Sequence, residues 1–222
     1  MLNSIKTKTI KILKIFSLAL VLSSVSGFAQ TENLLDKASS WVKELNLNDE
    51  AKETTITSLI TSHLTAVRNW HNSHPFETVP AGINPRTGEQ LTNLDRSIIA
   101  DSAMPQLVHE TLMTGLRANL NEDQVEKILD KYTIGKVAFT LKAYHAIVTD
   151  LTAKEEAVIL KNLQEAREMA IDYKSMKQIS AIFEIYKTKN EQYLNANGRS
   201  WRQLYKDYGK RRKAEKAMKK EK

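Results

Sequence analysis

Residues 152–195 contain neither glycine nor proline and are rich in Ala, Glu, Lys, Leu and Met. These five residue types favour helix, whereas Gly and Pro are the strongest helix breakers. Thr152 opens the segment as the first residue of a capping box, and Asn197-Gly198 is a stop signal after it. One uninterrupted helix of this length would exceed about 60 Å. We therefore predict two long helices that meet at a break near residues 172–175.

The rest of the chain also follows the helical period. Apolar residues recur at a spacing of three to four within residues 34–45, 56–70 and 105–119. Asn121 and Ser200 are suited to cap two further helices. The chain has only seven Gly and four Pro, which disfavours an all-β sandwich or propeller. We predict a mostly α-helical fold, built as a single-domain helical bundle.

Residues 137–148 form a segment with two possible interpretations. Val137 and Leu141 belong to an alternation of apolar and polar residues, which is typical of a short β-hairpin. The same two residues also fit a helical stripe with Tyr144. Because Gly135 interrupts the preceding helix, we favour the hairpin for this segment.

Both ends of the chain are predicted to lie outside the folded domain. Residues 1–29 have the pattern of a secretory signal, with a basic start, an apolar stretch at 15–25 too short to cross a membrane, and small residues at the end. The basic segment 206–222 is predicted to be a frayed tail. The folded domain is then 30–205, in a protein exported to the periplasm or beyond, with no stable membrane insertion after signal removal.

The net charge of the chain lies mainly in these end segments. Lys and Arg number 33 against 26 Asp and Glu, a formal net charge of +7. The signal segment holds four lysines and no acidic residue, and residues 206–222 hold nine basic and three acidic residues. Residues 30–205 keep 20 basic and 23 acidic residues. The predicted domain has no basic excess, which argues against a nucleic-acid partner.

Several classes of site are missing from the sequence. The chain has no cysteine, which excludes a disulfide scaffold, a thiol nucleophile and a Cys-ligated zinc. It also has no HExxH motif, no GxSxG motif, no phosphate loop and no dinucleotide fingerprint. We therefore predict no cofactor and no resident metal.

All four prolines lie between residues 75 and 105, in a segment of weak periodicity. Connections of this length inside a helical domain are usually functional or disordered. This one contains apolar residues such as Phe76, Ile83 and Leu94, too many for a disordered segment. We predict a long ordered loop over residues 75–104, and we expect the functional site to lie beside it.

Three of the five histidines, His63, His71 and His74, fall within one helical sector of about 80°. Apolar residues share that sector, so we expect the three imidazoles to face inward. A metal site of His71 and His74 with Asp95, Asp101 or Glu110 is a minor alternative to the prediction of no resident metal. Histidines packed in the core or at a helix end are the more common explanation of such a pattern.

Acid–base chemistry is an alternative use of the polar residues around the loop. His71, Asp95 and Asp101 are the catalytic candidates, as acid and base acting on a glycoside or an ester. His109 adds a further base nearby in the sequence. Asp101 also fits the position of a helix cap, a structural role that competes with catalysis.

Aromatic and polar side chains in the same region favour ligand binding. Trp70 offers a flat apolar face to a sugar ring, whereas Trp41 and Trp201 are expected to pack in the core. Arginine has a planar fork that suits hydroxyl groups and uronate carboxylates. The predicted ligand-binding residues are Arg68, Trp70, His71, His74, Asn84, Arg86, Asp95, Arg96 and Asp101.

Long motifs in this chain resemble those of one protein family. They are Trp70-His71-Asn72-Ser73-His74-Pro75, Val79-Pro80-Ala81-Gly82-Ile83-Asn84-Pro85, Leu94-Asp95-Arg96, Ile99-Ala100-Asp101-Ser102, Asp172-Tyr173-Lys174-Ser175-Met176-Lys177-Gln178-Ile179, Tyr186-Lys187 and Asn197-Gly198-Arg199. The chain resembles an uncharacterised family of secreted proteins from Bacteroidetes-type bacteria, for which sugar binding is the suggested role. The resemblance covers nearly all of the mature chain. The resemblance implies export and a role in the breakdown of plant polysaccharides, pectin in particular. It implies no catalytic residue, because none is established for the family.

These observations predict an exported carbohydrate-binding or accessory protein in the use of plant polysaccharides, with a carbohydrate as its partner. Two alternatives stay open: a hydrolase or lyase acting on glycosides or sugar esters, and a periplasmic helical interaction module. The enzyme would bring the loop carboxylates into one pocket, with at least one raised pKa. The interaction module would show a broad exposed apolar surface.

Overall fold

The computed structural model describes residues 33–85 and 87–219. Within these ranges the chain is helical, with no strand beyond one isolated bridge between Ile83 and Gln90. The helices are α1 (33–43), α2 (Glu50–Ser73), α3 (Asn93–Ser102), α4 (Gln106–Asn119), α5 (Glu122–Thr133), α6 (Lys136–Ile147), α7 (Ala153–Ala170), α8 (Met176–Ala196) and α9 (Trp201–Met218). The predicted mostly α-helical fold is confirmed, while the predicted signal segment 1–29 lies outside the described residues.

The helix boundaries follow from side chains close by in the sequence. Asn121, Thr152 and Ser175 are the caps of α5, α7 and α8, and each forms a complete capping box with the residue three positions on. Ser200 caps α9. Since α7 ends at Ala170 and Ser175 starts a new helix, the predicted break near residues 172–175 is confirmed.

The segment 137–148, predicted as a hairpin, forms α6 instead. Gly135 has a left-handed backbone, with a φ of 63°, and is the N-cap of α6. Val137, Tyr144 and Ile147 are buried at helical spacing along one side of α6. Burial of this stripe favours the helix, because a hairpin would turn alternate residues to opposite faces.

The second half of the predicted loop 75–104 is helical. Thr92 forms a capping box with Asp95 and so begins α3. The remaining loop is held to α3 by Arg96, whose Nε donates to the Val79 carbonyl at 2.9 Å. The Arg96 guanidinium also lies over the ring of Phe76, 5.1 Å from its centroid. The loop is therefore shorter than predicted.

The basic segment 206–222, predicted as a frayed tail, is helical as far as Met218 because α9 continues through it. No residue of α9 is buried. Arg211 holds the helix to the end of α6, since its Nη2 donates to the carbonyls of Ala146 and Ile147 at 2.9 and 3.1 Å. Cations are favoured at this position by the helix dipole of α6.

Two clusters of buried apolar side chains form the core. The first is built from α1, α2, α4 and α5, and the second from α6, α7 and α8, with α9 packed against it. Ile171 belongs to the first cluster and Tyr173 to the second, so the turn between α7 and α8 joins the two. Arg167 is buried between them and donates to Asp130 at 2.7 Å. None of the helices described is both long and apolar enough to cross a membrane.

Helices α2 and α4 approach each other closely at one point. Gly115 of α4 faces Leu59 of α2, and a Cβ built on Gly115 would lie 2.6 Å from the Leu59 Cδ1. That distance is too short for any side chain at residue 115 without movement of Leu59. The close approach brings α2 and α4 together beside the site described next.

Candidate functional site

A cavity of about 650 Å³ opens at the turn between α7 and α8, and we call it the central cavity. Its volume lies in the range of small-molecule sites, roughly 300–1,000 Å³. Residues from the end of α3, from α4, from α7 and from α8 form its wall. They are Asp101, Ser102, Met104, Pro105, Gln106, His109, Glu165, Glu168, Met169, Asp172, Tyr173 and Tyr186.

Asp172 lies between two histidines in the wall of this cavity. Its Oδ1 is 3.0 Å from Nε2 of His63 on α2, and its Oδ2 is 2.8 Å from Nδ1 of His109 on α4. An ionised carboxylate only accepts hydrogen bonds, so both imidazoles donate to it. His63 is almost fully buried, whereas His109 lines the cavity.

The pKa values follow from this arrangement. Burial opposes ionisation of Asp172, but the hydrogen bonds from His109 and His63 outweigh it and lower the pKa of Asp172. The hydrogen bond to Asp172 raises the pKa of His109 in spite of its partial burial, and Glu168 adds to the increase. Burial raises the pKa of Tyr173, and the charges of Asp172 and Asp101 raise it further. The site therefore favours the anionic form of Asp172 and the protonated form of His109.

Asp101 forms a second polar centre at the same cavity. It is 4% exposed, and its Oδ2 accepts from Nδ1 of His71 at 2.6 Å and from Nε2 of Gln178 at 2.5 Å. Gln178 also donates to Ser97 at 2.9 Å, which fixes its amide. The Oδ1 of Asp101 is buried and has no hydrogen-bond partner among the residues that the structure describes. Asp101 therefore has acceptor capacity left over in a wall of the cavity.

Two of the predicted site residues, His71 and Asp101, come together here. Trp70 and His74 lie close by, but the Trp70 ring stacks on His74 at a centroid distance of 3.7 Å. The Trp70 Nε1 donates to the Ala100 carbonyl at 3.1 Å. One face of Trp70 is thus covered by protein, and the ring anchors α3 to α2. Arg68 is half-buried on α2 and does not line the central cavity.

The other predicted residues lie elsewhere. Asp95 caps α3, and its hydrogen bonds with Thr92 lower its pKa. Asp95 and Asn84 line a second cavity of about 840 Å³ between the loop, α3 and α8, whose other walls are mostly apolar. Arg96 holds the loop through the Val79 carbonyl. Arg86 lies outside the described residues.

Sequence reasoning missed most of the cavity wall. Glu168, Asp172, Tyr173 and Tyr186 were not among the candidates, although Asp172-Tyr173 was singled out as a helix break. A polar turn between two long helices is a common place for a site, and that signal was present. The pairing of Asp172 with His63 joins residues 109 positions apart, which no local pattern reveals.

No cluster of three or more His, Cys, Asp or Glu side chains in residues 33–85 and 87–219 is arranged to hold a metal ion. The groups in the cavity wall are hydrogen-bonding and titratable side chains. Its acceptors are Asp101 and Glu168, its titrating imidazole is His109, and Tyr173 and Tyr186 add aromatic surface.

Comparison with known proteins places the chain in one family. No curated protein matches it. A family model described as "Protein of unknown function (DUF3826)" matches residues 31–214. The match includes helices α1 to α8, most of α9 and all residues of the central cavity. The chain therefore belongs to the DUF3826 family.

Proposed function

We propose that this chain is an exported carbohydrate-binding protein in the use of plant polysaccharides, and that a sugar occupies the central cavity. The observation that carries the proposal is a cavity of ligand size whose wall includes Asp101, a buried carboxylate with an unpartnered Oδ1. A buried polar atom without a partner costs about 1–3 kcal/mol. Because Oδ1 is covered in this structure, a sugar hydroxyl would reach it after a small movement of the wall, and its hydrogen bond would then remove that cost.

The rest of the wall supports a sugar as the ligand. Tyr173, Tyr186 and Met169 offer apolar surface to the C–H face of a ring, while Gln106 and Glu168 offer hydrogen-bond partners to hydroxyl groups. The signal-like pattern of residues 1–29 supports export. The resemblance to secreted proteins of Bacteroidetes-type bacteria supports a sugar in particular.

Binding to plant oligosaccharides tests the proposal. The mature chain, 30–222, is titrated by calorimetry with oligosaccharides of arabinan, galactan, xylan and pectin, and its thermal unfolding is followed in parallel. A ligand at 100 times its dissociation constant stabilises the fold by about 2.7 kcal/mol. We expect at least one of these sugars to bind.

The matched variants are Asp101→Asn, in the cavity, and Asp36→Asn, at an exposed site on α1. We expect Asp101→Asn to weaken binding by about tenfold or more, because the charged acceptor is lost. Asp36→Asn should bind as the wild type does. Equal binding by Asp101→Asn and the wild type, with both folded, would exclude the proposed site, and no binding of any sugar would exclude the function.

A second candidate function, hydrolysis of a glycoside or sugar ester, is favoured by the geometry of His109. Its Nδ1 is held by Asp172, and its Nε2 lies 3.7 Å from Glu168. This is the arrangement of a histidine oriented by a carboxylate for acid–base catalysis. Product analysis of each binding mixture tests it. If the protein is catalytic, the wild type should release cleaved or de-esterified products. The His109→Gln variant should then bind the sugar and release no products.

A further inference from the structure

The wall of the central cavity carries an excess of acidic groups. Four carboxylates line it, those of Asp101, Glu165, Glu168 and Asp172. Among the described residues, no lysine or arginine lines the cavity. A ligand carboxylate that entered it would therefore meet four acidic groups and no permanent cation.

Two cations outside the lining are paired with these carboxylates. Arg117 donates to Glu168 at 3.1 Å, and Lys189 donates to Glu165 at 2.8 Å. Each of these cations would have to break its ion pair with the wall carboxylate before it could bind a ligand anion. A paired cation is a poor partner for a second anion, because the first carboxylate offsets its charge.

The histidines around the cavity are engaged in the same way. His109 has its Nδ1 on Asp172 and its Nε2 3.7 Å from Glu168. His63 is bonded to the other oxygen of Asp172, and His71 is bonded to Asp101. Each of these imidazoles therefore already contacts a carboxylate of the wall.

We infer that the central cavity selects sugar units without a carboxylate and rejects uronates. The inference rests on the proposed function and names the class of sugar. A uronate would lose its hydration among carboxylates whose cations are already paired, with no cation left to replace that hydration, whereas a hydroxymethyl group or a methyl ester at the same carbon has no such cost. Among plant polysaccharides, the ligand would then come from neutral chains and not from a polyuronate backbone.

A pair of ligands with one skeleton tests the inference directly. Oligogalacturonate is used as the free acid and as its full methyl ester, alongside neutral galactan, arabinan and xylan oligosaccharides, in calorimetry on residues 30–222 at neutral pH and low salt. We expect the methyl ester, like the tightest neutral ligand, to bind about tenfold or more tightly than the free acid. Added salt should narrow that difference, because it screens the repulsion.

The outcomes separate this inference from the proposed function. Binding of the free acid as tightly as the neutral sugars, or more tightly, overturns the inference and leaves the proposed function standing. Failure of every sugar to bind overturns both.

A matched pair of variants tests whether the wall charge is the cause. Glu165→Gln removes a wall carboxylate and releases Lys189, whereas Glu184→Gln makes the same change outside the central cavity and releases Lys187. We expect Glu165→Gln to tighten binding of the free acid by about threefold to tenfold and to leave neutral sugars unchanged. Glu184→Gln should change neither. Unchanged discrimination in folded Glu165→Gln would contradict the inference.

Discussion

The Nδ1 of His109 lies 2.8 Å from Oδ2 of Asp172, so a charge-assisted hydrogen bond joins α4 to the turn between α7 and α8. The bond lies in the wall of the central cavity, and it raises the pKa of His109. A shifted pKa makes the stability of the fold depend on pH.

The first prediction concerns the sign of that dependence. The folded pKa of His109 is above its ordinary value of 6.5, so its stabilising contribution is complete below that pH and is lost as the pH rises through the folded pKa. We expect His109→Gln to lower the free energy of unfolding more at about pH 5.5 than at about pH 9. Urea unfolding at the two pH values measures this. An equal loss at both would contradict the assigned interaction.

The second prediction concerns Arg199, which holds the start of α7. Its Nε and Nη2 donate to the two oxygens of Glu155 at 2.6 and 2.8 Å, and its Nη1 donates to Asp150. The two bonds from Arg199, together with hydrogen bonds from Thr152, lower the pKa of Glu155 to about 2, from an ordinary 4.5. The contribution is therefore present above pH 4.5 and is lost as the pH falls towards the folded pKa.

We expect Arg199→Met to unfold at a higher pH than the wild type when acid is added, as measured by circular dichroism. Arg202→Met is the matched control, since Arg202 is exposed on α9. The control should unfold at the wild-type pH. Acid unfolding of Arg199→Met at the wild-type midpoint would show that the Glu155 pair does not stabilise the fold.

The third prediction is a stabilising substitution at Ile134. This residue is 72% exposed and has a φ of 55°, a left-handed conformation that costs a β-branched residue about 1–2 kcal/mol. Asparagine tolerates that conformation better, so Ile134→Asn should raise Tm by about 2–4 °C. Ile185→Asn, at an exposed helical site, is the control and should give no increase. Differential scanning calorimetry compares the two, and a lower Tm for Ile134→Asn would count against backbone strain at residue 134.

The fourth prediction compares two glycines in helices. Gly115→Ala would force a Cβ against Leu59, and we expect a loss of about 1–3 kcal/mol in the free energy of unfolding. Gly209→Ala in α9 meets no atom within 4 Å and should be neutral or stabilising by up to about 1 kcal/mol. Urea unfolding measures both. Adding Leu59→Ala to Gly115→Ala should recover part of the loss if the clash is its cause, and simple additivity of the two changes would argue against it.

The parts of the fold that depend on local chemistry could be predicted. The caps at Asn121 and Thr152 act on backbone groups within three residues, so the sequence alone contains both partners. The prediction of a hairpin at 137–148 was wrong because the apolar residues of this segment fit both the strand period and the helical period. The helix is favoured by the packing of Val137 and Tyr144 in one cluster with residues of α7 and α8. Such packing between distant parts of the chain is not visible in a local sequence pattern.

The residues of the candidate site also fall into those that a local sequence pattern predicts and those that it does not. His71 was predicted because its position on α2 faces inward, a property of the helical period. Its partner Asp101 was also among the candidates, since the Pro-rich loop indicated that region. Asp172 was not among the candidates. Its histidine partners come from α2 and α4, 109 and 63 positions away in the chain, so no local pattern links them to it. Pairings across such distances arise only when the bundle has assembled.

The turn at residues 171–173 has a consequence for how this protein opens. Ile171 is buried in one apolar cluster, Tyr173 in the other, and Asp172 holds imidazoles of α2 and α4 from the position between them. A local unfolding event that begins at this turn exposes apolar surface in both halves and breaks both imidazole contacts at once. The two clusters and the cavity therefore form one cooperative unit, which is lost as a whole and not helix by helix.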